Sequence, residues 1–276
     1  MATLASLKAE VARLRAAAAT LATDETRRTL GRLRADPTLP MTAAGLAPDP
    51  WQRELIACPA RQIAALCTRR SGKTRTTACR ITGQSLTRPN WKTLLFAPTE
   101  DQSKELLGYV AEMNDALGCP VPLVSRTESR LKWANGSEVR AKSDVAKSSK
   151  GFTPNAVVID EAAVVSDELY LTVMPMLVLG RCELLALTTP YGKAGWFFDL
   201  WETPAKRANW TCFTVTAYQC PRIDRAILAE HKATMPPRWF DQEYLCVFND
   251  AVDAVFGKQV IESAVKADDA FLPLAI

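Results

Sequence analysis

The chain has little of what a zinc protein or a membrane protein needs. Its 276 residues include one histidine, His231, and eight scattered cysteines with no CxxC pair. This spacing disfavours both a zinc cluster and a disulfide framework. No apolar run of about eighteen residues without charge occurs, and the Ala-rich start carries Lys8 and Arg13, so we expect neither a membrane span nor a signal peptide. The sequence predicts a cytosolic protein with reduced thiols.

An excess of one charge sign is also missing, since the formal net charge is only +4. The charges are unevenly distributed: residues 126–150 hold seven Lys or Arg against three Asp or Glu, residues 1–40 hold seven against four, and residues 250–276 hold two against five. Most such charges are solvated surface groups, and a phosphate-bearing partner is the alternative for the basic stretches. The 48% hydrophobic content suffices for one large α/β domain or two small ones.

The first 50 residues differ in pattern from the rest. Apolar side chains recur at helical spacing from Leu4 to Leu21 and predict one amphipathic helix, and Thr23 can cap a second helix. Residues 1–40 are therefore predicted to form a helical segment that docks onto the main domain. Four prolines between positions 37 and 50 predict a rigid, extended linker over residues 41–50. The remaining predicted units are a main domain and a tail, residues 51–250 and 251–276.

Beyond residue 50, short apolar runs alternate with helical patterns. Strands are predicted at Ile63–Cys67, Leu94–Ala97, Ala156–Asp160, Leu184–Thr188 and Thr211–Thr216. Helices are predicted at Arg75–Gln84, Thr99–Leu117, Ser166–Leu179 and Gly195–Trp201. Between two further strands, Asn135-Gly136 predicts a hairpin with a type I′ turn. Such alternation is typical of an α/β domain with a mainly parallel sheet and helices on both faces.

The residues from Cys67 to Thr74 read C-T-R-R-S-G-K-T and lie between a predicted strand and a predicted helix. This arrangement is typical of a P-loop, in which backbone N–H groups and the helix N-terminus bind nucleotide phosphates. Lys73 would bridge the β- and γ-phosphates of ATP, and the Thr74 hydroxyl would bind Mg²⁺. The usual pattern begins with Gly where this chain has Cys67. Either the loop begins without a positive φ at that residue, or the match is accidental.

A second motif follows a strand that is apolar up to its last residue. Asp160 ends this strand at the predicted carboxyl edge of the sheet, where ligands of open α/β folds bind, and Glu161 comes next. Asp160 is a candidate ligand of Mg²⁺ through the water shell of the ion, and Glu161 is a candidate to polarise the water that attacks the γ-phosphate. The alternative is an acidic surface turn. The preceding P-loop favours the catalytic interpretation, because two matched parts of one site are then present.

Three more polar residues are candidates for the same site. Arg69 and Arg70 lie inside the phosphate loop, where a guanidinium would stabilise charge that develops during hydrolysis; the alternative is simple solvation. Gln52 could hydrogen-bond adenine, while the preceding Trp51 taken alone is more often a core residue. The predicted nucleotide-binding set is Gln52, Arg69, Arg70, Ser71, Gly72, Lys73 and Thr74.

Five motifs, in their order along the chain, resemble those of the large terminase subunit of tailed bacteriophages. They are Pro50-Trp51-Gln52-Arg53, Thr68 to Thr74, Val158-Ile159-Asp160-Glu161-Ala162, Leu187-Thr188-Thr189-Pro190, and Phe240 to Leu245 with Phe248. The resemblance implies the ATPase of a DNA-packaging motor, with a P-loop fold of the RecA-like (ASCE) class. It implies that Gln52 contacts adenine and that Arg69 senses the γ-phosphate. It also implies that Thr188 and Thr189 couple hydrolysis to DNA movement.

The resemblance further implies the partners and the location of such a motor. These are a homo-oligomeric ring docked on the portal protein of an empty capsid, double-stranded DNA as the cargo, and a small terminase subunit that delivers it. The expected location is the cytoplasm of the bacterial host, without membrane contact. Candidates for an arginine finger that reaches a neighbouring subunit are Arg126, Arg130 and Arg140. Candidates for contacts with DNA phosphates are Lys142, Lys147 and Lys150.

Full-length large terminases resemble a fusion of this ATPase with an RNase H-like nuclease. Twenty residues follow Phe256, whereas a nuclease domain needs several times that length, so we expect no DNA cleavage by this chain. Residues 251–276 are interpreted as a tail toward an absent nuclease domain. Two other functions stay open: a helicase-like or DNA-repair P-loop ATPase that acts on nucleic acid, and a nucleotide-gated binding module that Cys67 makes inactive.

Overall fold

The structure is a computed structural model that describes residues 23–143, 152–178 and 182–250. Several predictions concern residues outside these ranges, namely the amphipathic helix up to Leu21, the DNA contacts of Lys147 and Lys150, and the tail. Among the helices of the described ranges, none is both long enough and apolar enough to cross a membrane.

An eight-stranded sheet forms the centre of the described structure. Its strands are β1 (Gln62–Cys67), β2 (Lys92–Ala97), β3 (Leu123–Thr127), β4 (Arg130–Trp133), β5 (Glu138–Ser143), β6 (Ala156–Asp160), β7 (Glu183–Thr188) and β8 (Thr211–Val215). They lie side by side in the order β3-β4-β5-β2-β6-β7-β1-β8. All pairings from β5 across to β8 are parallel, and those within β3-β4-β5 are antiparallel. The predicted mainly parallel sheet is confirmed, with antiparallel strands at one edge.

Helices cover both faces of this sheet, as predicted. They are α1 (residues 23–35), α2 (Leu39–Ala43), α3 (Pro50–Ala57), α4 (Lys73–Thr87), α5 (Glu100–Ala116), α6 (Asp167–Leu177), α7 (Gly195–Glu202), α8 (Pro204–Arg207), α9 (Arg225–Thr234) and α10 (Pro237–Leu245), with a 3₁₀ turn at Ala217–Gln219. Ile63 and Ala65 of β1 face the core formed with α3, α4 and α5, whereas Ala64 and Leu66 face the core formed with α6 and α7. Because both faces are covered, the central strands β2, β6, β7 and β1 are buried and apolar over most of their length.

Side-chain caps fix the start of two helices at the carboxyl edge of the sheet. At the start of α5, Thr99 Oγ1 accepts a hydrogen bond of 3.3 Å from Gln102 N. At the start of α6, Ser166 Oγ accepts one of 3.2 Å from Leu169 N. Each cap satisfies a backbone donor that the first helical turn would leave unpaired. The helices predicted from the sequence over Thr99–Leu117 and Ser166–Leu179 begin at these two residues.

The stretch predicted as an extended linker is partly helical. Helix α2 overlaps the start of this stretch and carries Pro40 in its first turn, and Pro50, at the end of the stretch, is the first residue of α3. Proline is tolerated in the first turn because its missing N–H would have no helical partner there, so these prolines begin helices. Met41 is buried in the core on the α3–α5 face. The expectation of an extended conformation is therefore wrong for these residues.

The hairpin between β4 and β5 is present, but its turn differs from the predicted type I′. That turn type needs positive φ at both central residues, and only Gly136 has it, with φ 85°. Gly136 N donates to Trp133 O at 3.0 Å, so the loop is longer by one residue. The Asn135 amide explains the difference, because it donates to Ser85 O at 2.9 Å and thereby ties the turn to the end of α4.

Candidate nucleotide-binding site

The two predicted motifs meet at one edge of the sheet. Strands β6, β7 and β1 are parallel neighbours, so Asp160, Thr188 and the loop after Cys67 all lie at their carboxyl ends. Lys73 Nζ forms an ion pair with Glu161 Oε1 at 2.7 Å, and the two side chains are only 13% and 25% exposed. The P-loop lysine and the acidic pair therefore share one partly buried site.

The backbone at Glu161 adopts a conformation that non-glycine residues rarely adopt. Its φ is 50°, in the left-handed region, which costs on the order of 1 kcal/mol for a residue with a side chain. Glu161 N donates to Asp160 Oδ1 at 3.0 Å, and Glu161 Oε2 lies 3.5 Å from both Thr188 Oγ1 and Thr189 N. Strain of this kind is characteristic of functional sites. It turns the Glu161 carboxylate toward Lys73 and the end of β7.

Burial and charge perturb the ionisable groups of the site. Burial raises the pKa of Asp160 to about 6, although the Lys73 ammonium opposes this shift. Burial also works to lower the pKa of Lys73, but the carboxylates of Glu161 and Asp160 outweigh it and leave that pKa raised. Lys73 is therefore positively charged at neutral pH. A further cation beside Asp160 would favour its ionised form.

The loop begins without strain at Cys67, although Gly is usual there. Positive φ values occur instead at Arg70, with 61°, and at Gly72, with 87°. Cys67 is fully buried, and burial raises the pKa of its thiol, so this side chain is a core residue rather than a reactive group. Of the two interpretations of Cys67 left open by the sequence, the structure thus favours a P-loop with an altered first residue.

The residues of the site fit a magnesium-nucleotide complex. Ser71 Oγ is buried and has no hydrogen-bond partner in the described structure, and a phosphate oxygen in the loop would provide one. Thr74 is half-buried in the first turn of α4, where the helix N-terminus favours an anion. Among the described residues no group of three His, Cys, Asp or Glu could hold a metal by itself. This donor set suits Mg²⁺, which takes few protein ligands and depends on phosphates and water.

Arg69 contacts helix α10 rather than the interior of the loop. Arg69 Nε lies 2.7 Å from Glu243 Oε2, and the Arg69 side chain is 71% exposed. The backbone carbonyl of Glu243 also accepts hydrogen bonds from Thr68 Oγ1 at 2.6 Å and from Arg69 N at 3.2 Å. Arg70 is exposed at the tip of the loop. The contact of either arginine with a phosphate stays a prediction.

Gln52 lies behind the phosphate loop and is fully buried. Its Oε1 accepts a hydrogen bond from Asp49 N at 2.8 Å, and its Nε2 donates to Thr76 Oγ1 at 2.8 Å and approaches Gly72 O at 3.5 Å. Both ends of the amide are thus engaged within the protein. In this structure Gln52 supports the loop, and the predicted contact with adenine stays a prediction. Trp51 is a core residue, as expected for a tryptophan taken alone.

Besides Glu243 and Gln52, a third residue holds the phosphate loop, and the sequence analysis did not identify it. Arg222 Nη2 donates to Ser71 O at 2.7 Å and to Asp49 Oδ2 at 2.8 Å. The motif from Phe240 to Leu245 directed attention to the region that contains Glu243, but Arg222 belongs to no recognisable pattern. The contact with Ser71 joins residues 151 positions apart, and local sequence carries no signal of that kind.

The three candidates for an arginine finger lie far across the sheet from the P-loop. Strands β4 and β5 are separated from β1 by β2, β6 and β7. Arg126 pairs with Asp115 at 2.8 Å, and both Arg130 and Arg140 pair with Glu138. These arginines do not meet the nucleotide site of their own chain, so a role in a neighbouring subunit stays a prediction.

Comparison with known sequences identifies the family. The family model described as terminase large subunit, T4likevirus-type, N-terminal, matches residues 65–263. The large terminase subunit of Escherichia phage T5 is 25% identical over 239 residues, which cover 81% of this chain and 52% of that protein. The chain thus spans about half the length of this curated relative.

Comparison with solved structures identifies the same fold. The large terminase ATPase domain of Thermus phage P74-26 matches with a TM-score of 0.65 and 22% identity, over 76% of this chain and 97% of that domain. A large terminase from a thermophilic bacteriophage, solved in complex with ADP, matches with a TM-score of 0.61 and 13% identity, over 72% of this chain and 53% of that one. The P-loop fold predicted from the sequence is confirmed, and the chain belongs to the family of phage terminase large subunits, of which it matches the N-terminal part.

Proposed function

We propose that this chain is a Mg²⁺-dependent ATPase and the motor part of a viral DNA-packaging machine, which moves double-stranded DNA into a procapsid. The observation that carries the proposal is the contact of 2.7 Å between Lys73 and Glu161 at the carboxyl edge of the sheet, beside the buried Asp160. A P-loop cation and two carboxylates at one site are the groups that phosphoryl transfer to water requires. Membership in the terminase family supports DNA packaging over a helicase-like or DNA-repair role.

In the proposed reaction, Lys73 leaves Glu161 and binds the β- and γ-phosphates of ATP. Its positive charge then stabilises the charge that shifts toward the leaving oxygen. The release of Lys73 frees the Glu161 carboxylate, which orients the attacking water and accepts its proton. Thr74 and Asp160 would hold Mg²⁺, which neutralises phosphate charge when it is bound.

Two other contacts could transmit the state of the nucleotide to α10 and to the segment after β7. Arg69 would exchange Glu243 for the γ-phosphate, so α10 would respond to the presence of that phosphate. Glu161 lies beside Thr188 and Thr189, and a change in its position would reach the segment after β7. This segment is the proposed coupling element.

The assembly that the family implies is also proposed for this chain. We place it in a homo-oligomeric ring on the portal protein, in the cytoplasm of the bacterial host, with the small terminase subunit and double-stranded DNA as partners. One of Arg126, Arg130 and Arg140 would act on the nucleotide of a neighbouring subunit. An isolated chain would then hydrolyse ATP slowly, because part of each site would come from its neighbour.

Phosphate release by the purified chain, with and without Mg²⁺ and double-stranded DNA, tests the proposal. Glu161→Ala is expected to retain ATP binding and to lose turnover by a factor of roughly 10² or more. Glu168→Ala, which removes an exposed glutamate at the start of α6, is the matched control and should hydrolyse ATP at the parent rate. Hydrolysis by Glu161→Ala at the parent rate would show that the assignment is wrong.

A further inference from the structure

The segment between β8 and α9 reaches back to the phosphate loop through one side chain. Arg222 Nη2 bonds the carbonyl oxygen of Ser71 at 2.7 Å and the carboxylate of Asp49 at 2.8 Å. Its side chain is 47% exposed, while Asp49 and Ser71 are buried. The guanidinium thus enters the site from the surface and ends on two buried acceptors.

The bond to Ser71 constrains the peptide group that follows. A trans peptide is planar, and its C=O and N–H point in opposite directions; the described chain contains no cis peptide. A donor held on Ser71 O therefore turns the N–H of Gly72 to the opposite side. Gly72 has φ 87° and, as a glycine, could adopt several backbone conformations, so a bond to the preceding carbonyl restricts the orientation of its N–H. Backbone N–H groups at this point of a P-loop are the donors that bind phosphate.

Asp49, the second acceptor of Arg222, is itself held by hydrogen bonds. Asp49 N donates to Gln52 Oε1 at 2.8 Å, and Gln52 Nε2 donates to Thr76 Oγ1 at 2.8 Å. A Cβ at Gly72 would lie 3.0 Å from both Arg222 Nη2 and Gln52 Nε2, so the two side chains pack against the loop at the same point. Connected polar networks in buried positions restrain the groups they join. Arg222 is the surface-accessible member of this network.

We propose that Arg222 is a positioning residue for phosphate binding. It holds the Ser71–Gly72 peptide with its N–H toward the phosphates, and it does not touch the nucleotide. The proposal rests on the proposed function, because it assumes that nucleotide binds at the P-loop. It assigns to the segment after β8 a role in the nucleotide site, in addition to the roles of the P-loop and of the motif that contains Asp160 and Glu161.

Equilibrium binding of ATP and of inorganic pyrophosphate to the full chain tests this role. Arg222→Ala is expected to weaken both ligands by the same factor, roughly tenfold, because the defect lies in phosphate binding. It should raise KM for ATP with kcat within about twofold, as expected for an interaction made equally in the ground and transition states. Arg222→Lys should recover part of the affinity, since an ammonium can still donate to Ser71 O.

Arg225, three residues after Arg222 at the start of α9, provides a matched control. It also donates to backbone carbonyls, those of Ala217 at 2.9 Å and Tyr218 at 2.7 Å, but it does not contact the loop. Arg225→Ala should leave both affinities unchanged. A merely structural role of Arg222 would lower the thermal midpoint without a selective loss of affinity, and so would overturn the inference.

The remaining outcomes separate this inference from the proposed function. Unchanged ATP and pyrophosphate affinities in Arg222→Ala, with binding abolished in Lys73→Ala, would overturn the role of Arg222 and leave the ATPase proposal intact. If Arg222→Ala lowers the affinity for ATP and leaves that for pyrophosphate unchanged, Arg222 contacts the base or ribose. This result would also overturn the proposed role of Arg222 in phosphate binding. A parent chain that binds neither ligand would overturn both proposals.

Discussion

Lys73 Nζ lies 2.7 Å from Glu161 Oε1, so the cation of the phosphate loop and the carboxylate proposed to orient water neutralise each other. This ion pair is largely shielded from solvent, and its partners are therefore strongly coupled. A ligand that binds the Lys73 ammonium in place of Glu161 also frees the Glu161 carboxylate. In the proposed reaction, ATP binding and catalysis are therefore linked through this single contact.

Replacement of Lys73 by alanine should weaken ATP binding by roughly one to two orders of magnitude, because a charged hydrogen bond to phosphate is lost. Titration with a fluorescent ATP analogue measures this effect. Lys104→Ala is the control, since Lys104 also lies in ion pairs, with Glu100 and Glu128 on α5 and the edge hairpin, away from the loop. Equal affinities of Lys73→Ala and the parent chain would refute the assignment of the loop.

Glu161→Ala should bind ATP at least as tightly as the parent chain does. The substitution removes the partner of Lys73, so the ammonium no longer has to leave a carboxylate in order to reach phosphate. The same titration measures this affinity. An affinity reduced as far as in Lys73→Ala would mean that Glu161 binds nucleotide rather than water.

Glu243→Gln should increase ATP affinity by a factor of up to about five, because an exposed ion pair is worth at most about 1 kcal/mol. The reason is that Arg69 is released, whereas the backbone carbonyl of residue 243 still accepts from Thr68 and Arg69. A double-mutant cycle with Arg69→Ala provides the check. If Glu243→Gln has the same effect in the absence of the Arg69 side chain, the two residues are not coupled in binding.

Asp160 should give the stability of the chain a pH dependence of known sign. Its pKa is raised by burial from 3.8 to about 6 in the folded state, so the folded chain binds more protons than the unfolded chain between these values. Stability contributed by the neutral carboxyl group is therefore present below about pH 4 and is lost as the pH rises through about 6. Asp160→Asn abolishes this loss and should be more stable than the parent chain at pH 8, by on the order of 2 kcal/mol.

Chemical denaturation at pH 4 and pH 8 in the presence of EDTA measures this difference. The gain from Asp160→Asn should shrink toward zero at the lower pH. A gain that is the same at both pH values would indicate that burial does not perturb the ionisation of Asp160.

Much of the fold could be predicted because its signals are local. The five predicted strands match β1, β2, β6, β7 and β8 to within two residues at each end. Four of them, β1, β2, β6 and β7, lie in the centre of the sheet and are largely apolar because both of their faces are buried. The starts of the predicted helices at Thr99 and Ser166 were equally local signals, because a capping side chain and its partner lie three residues apart. The convergence of Lys73 with Glu161 followed from the rule that parallel strands bring their carboxyl ends to one edge.

What could not be predicted depends on contacts between distant residues. Arg222 and Glu243 contact the loop from segments more than 150 positions away. Arg222 belongs to no local pattern, and the motif that contains Glu243 does not indicate its contact with the loop. Pro40 and Pro50 predict an extended chain, whereas both lie in the first turn of a helix, where proline is tolerated, and Met41 next to Pro40 is buried in the core. The turn at Asn135 is decided by a tertiary hydrogen bond to Ser85 that overrides the preference of the Asn-Gly pair.

The most direct measurement is a crystal structure of the chain with a slowly hydrolysed ATP analogue and Mn²⁺ in place of Mg²⁺. The account predicts that the β- and γ-phosphates lie within hydrogen-bond distance of Lys73 Nζ and Gly72 N, that Lys73 has separated from Glu161, and that the anomalous signal of Mn²⁺ lies beside Thr74 and Asp160. A nucleotide bound elsewhere, with the contact between Lys73 and Glu161 still at 2.7 Å, would contradict it.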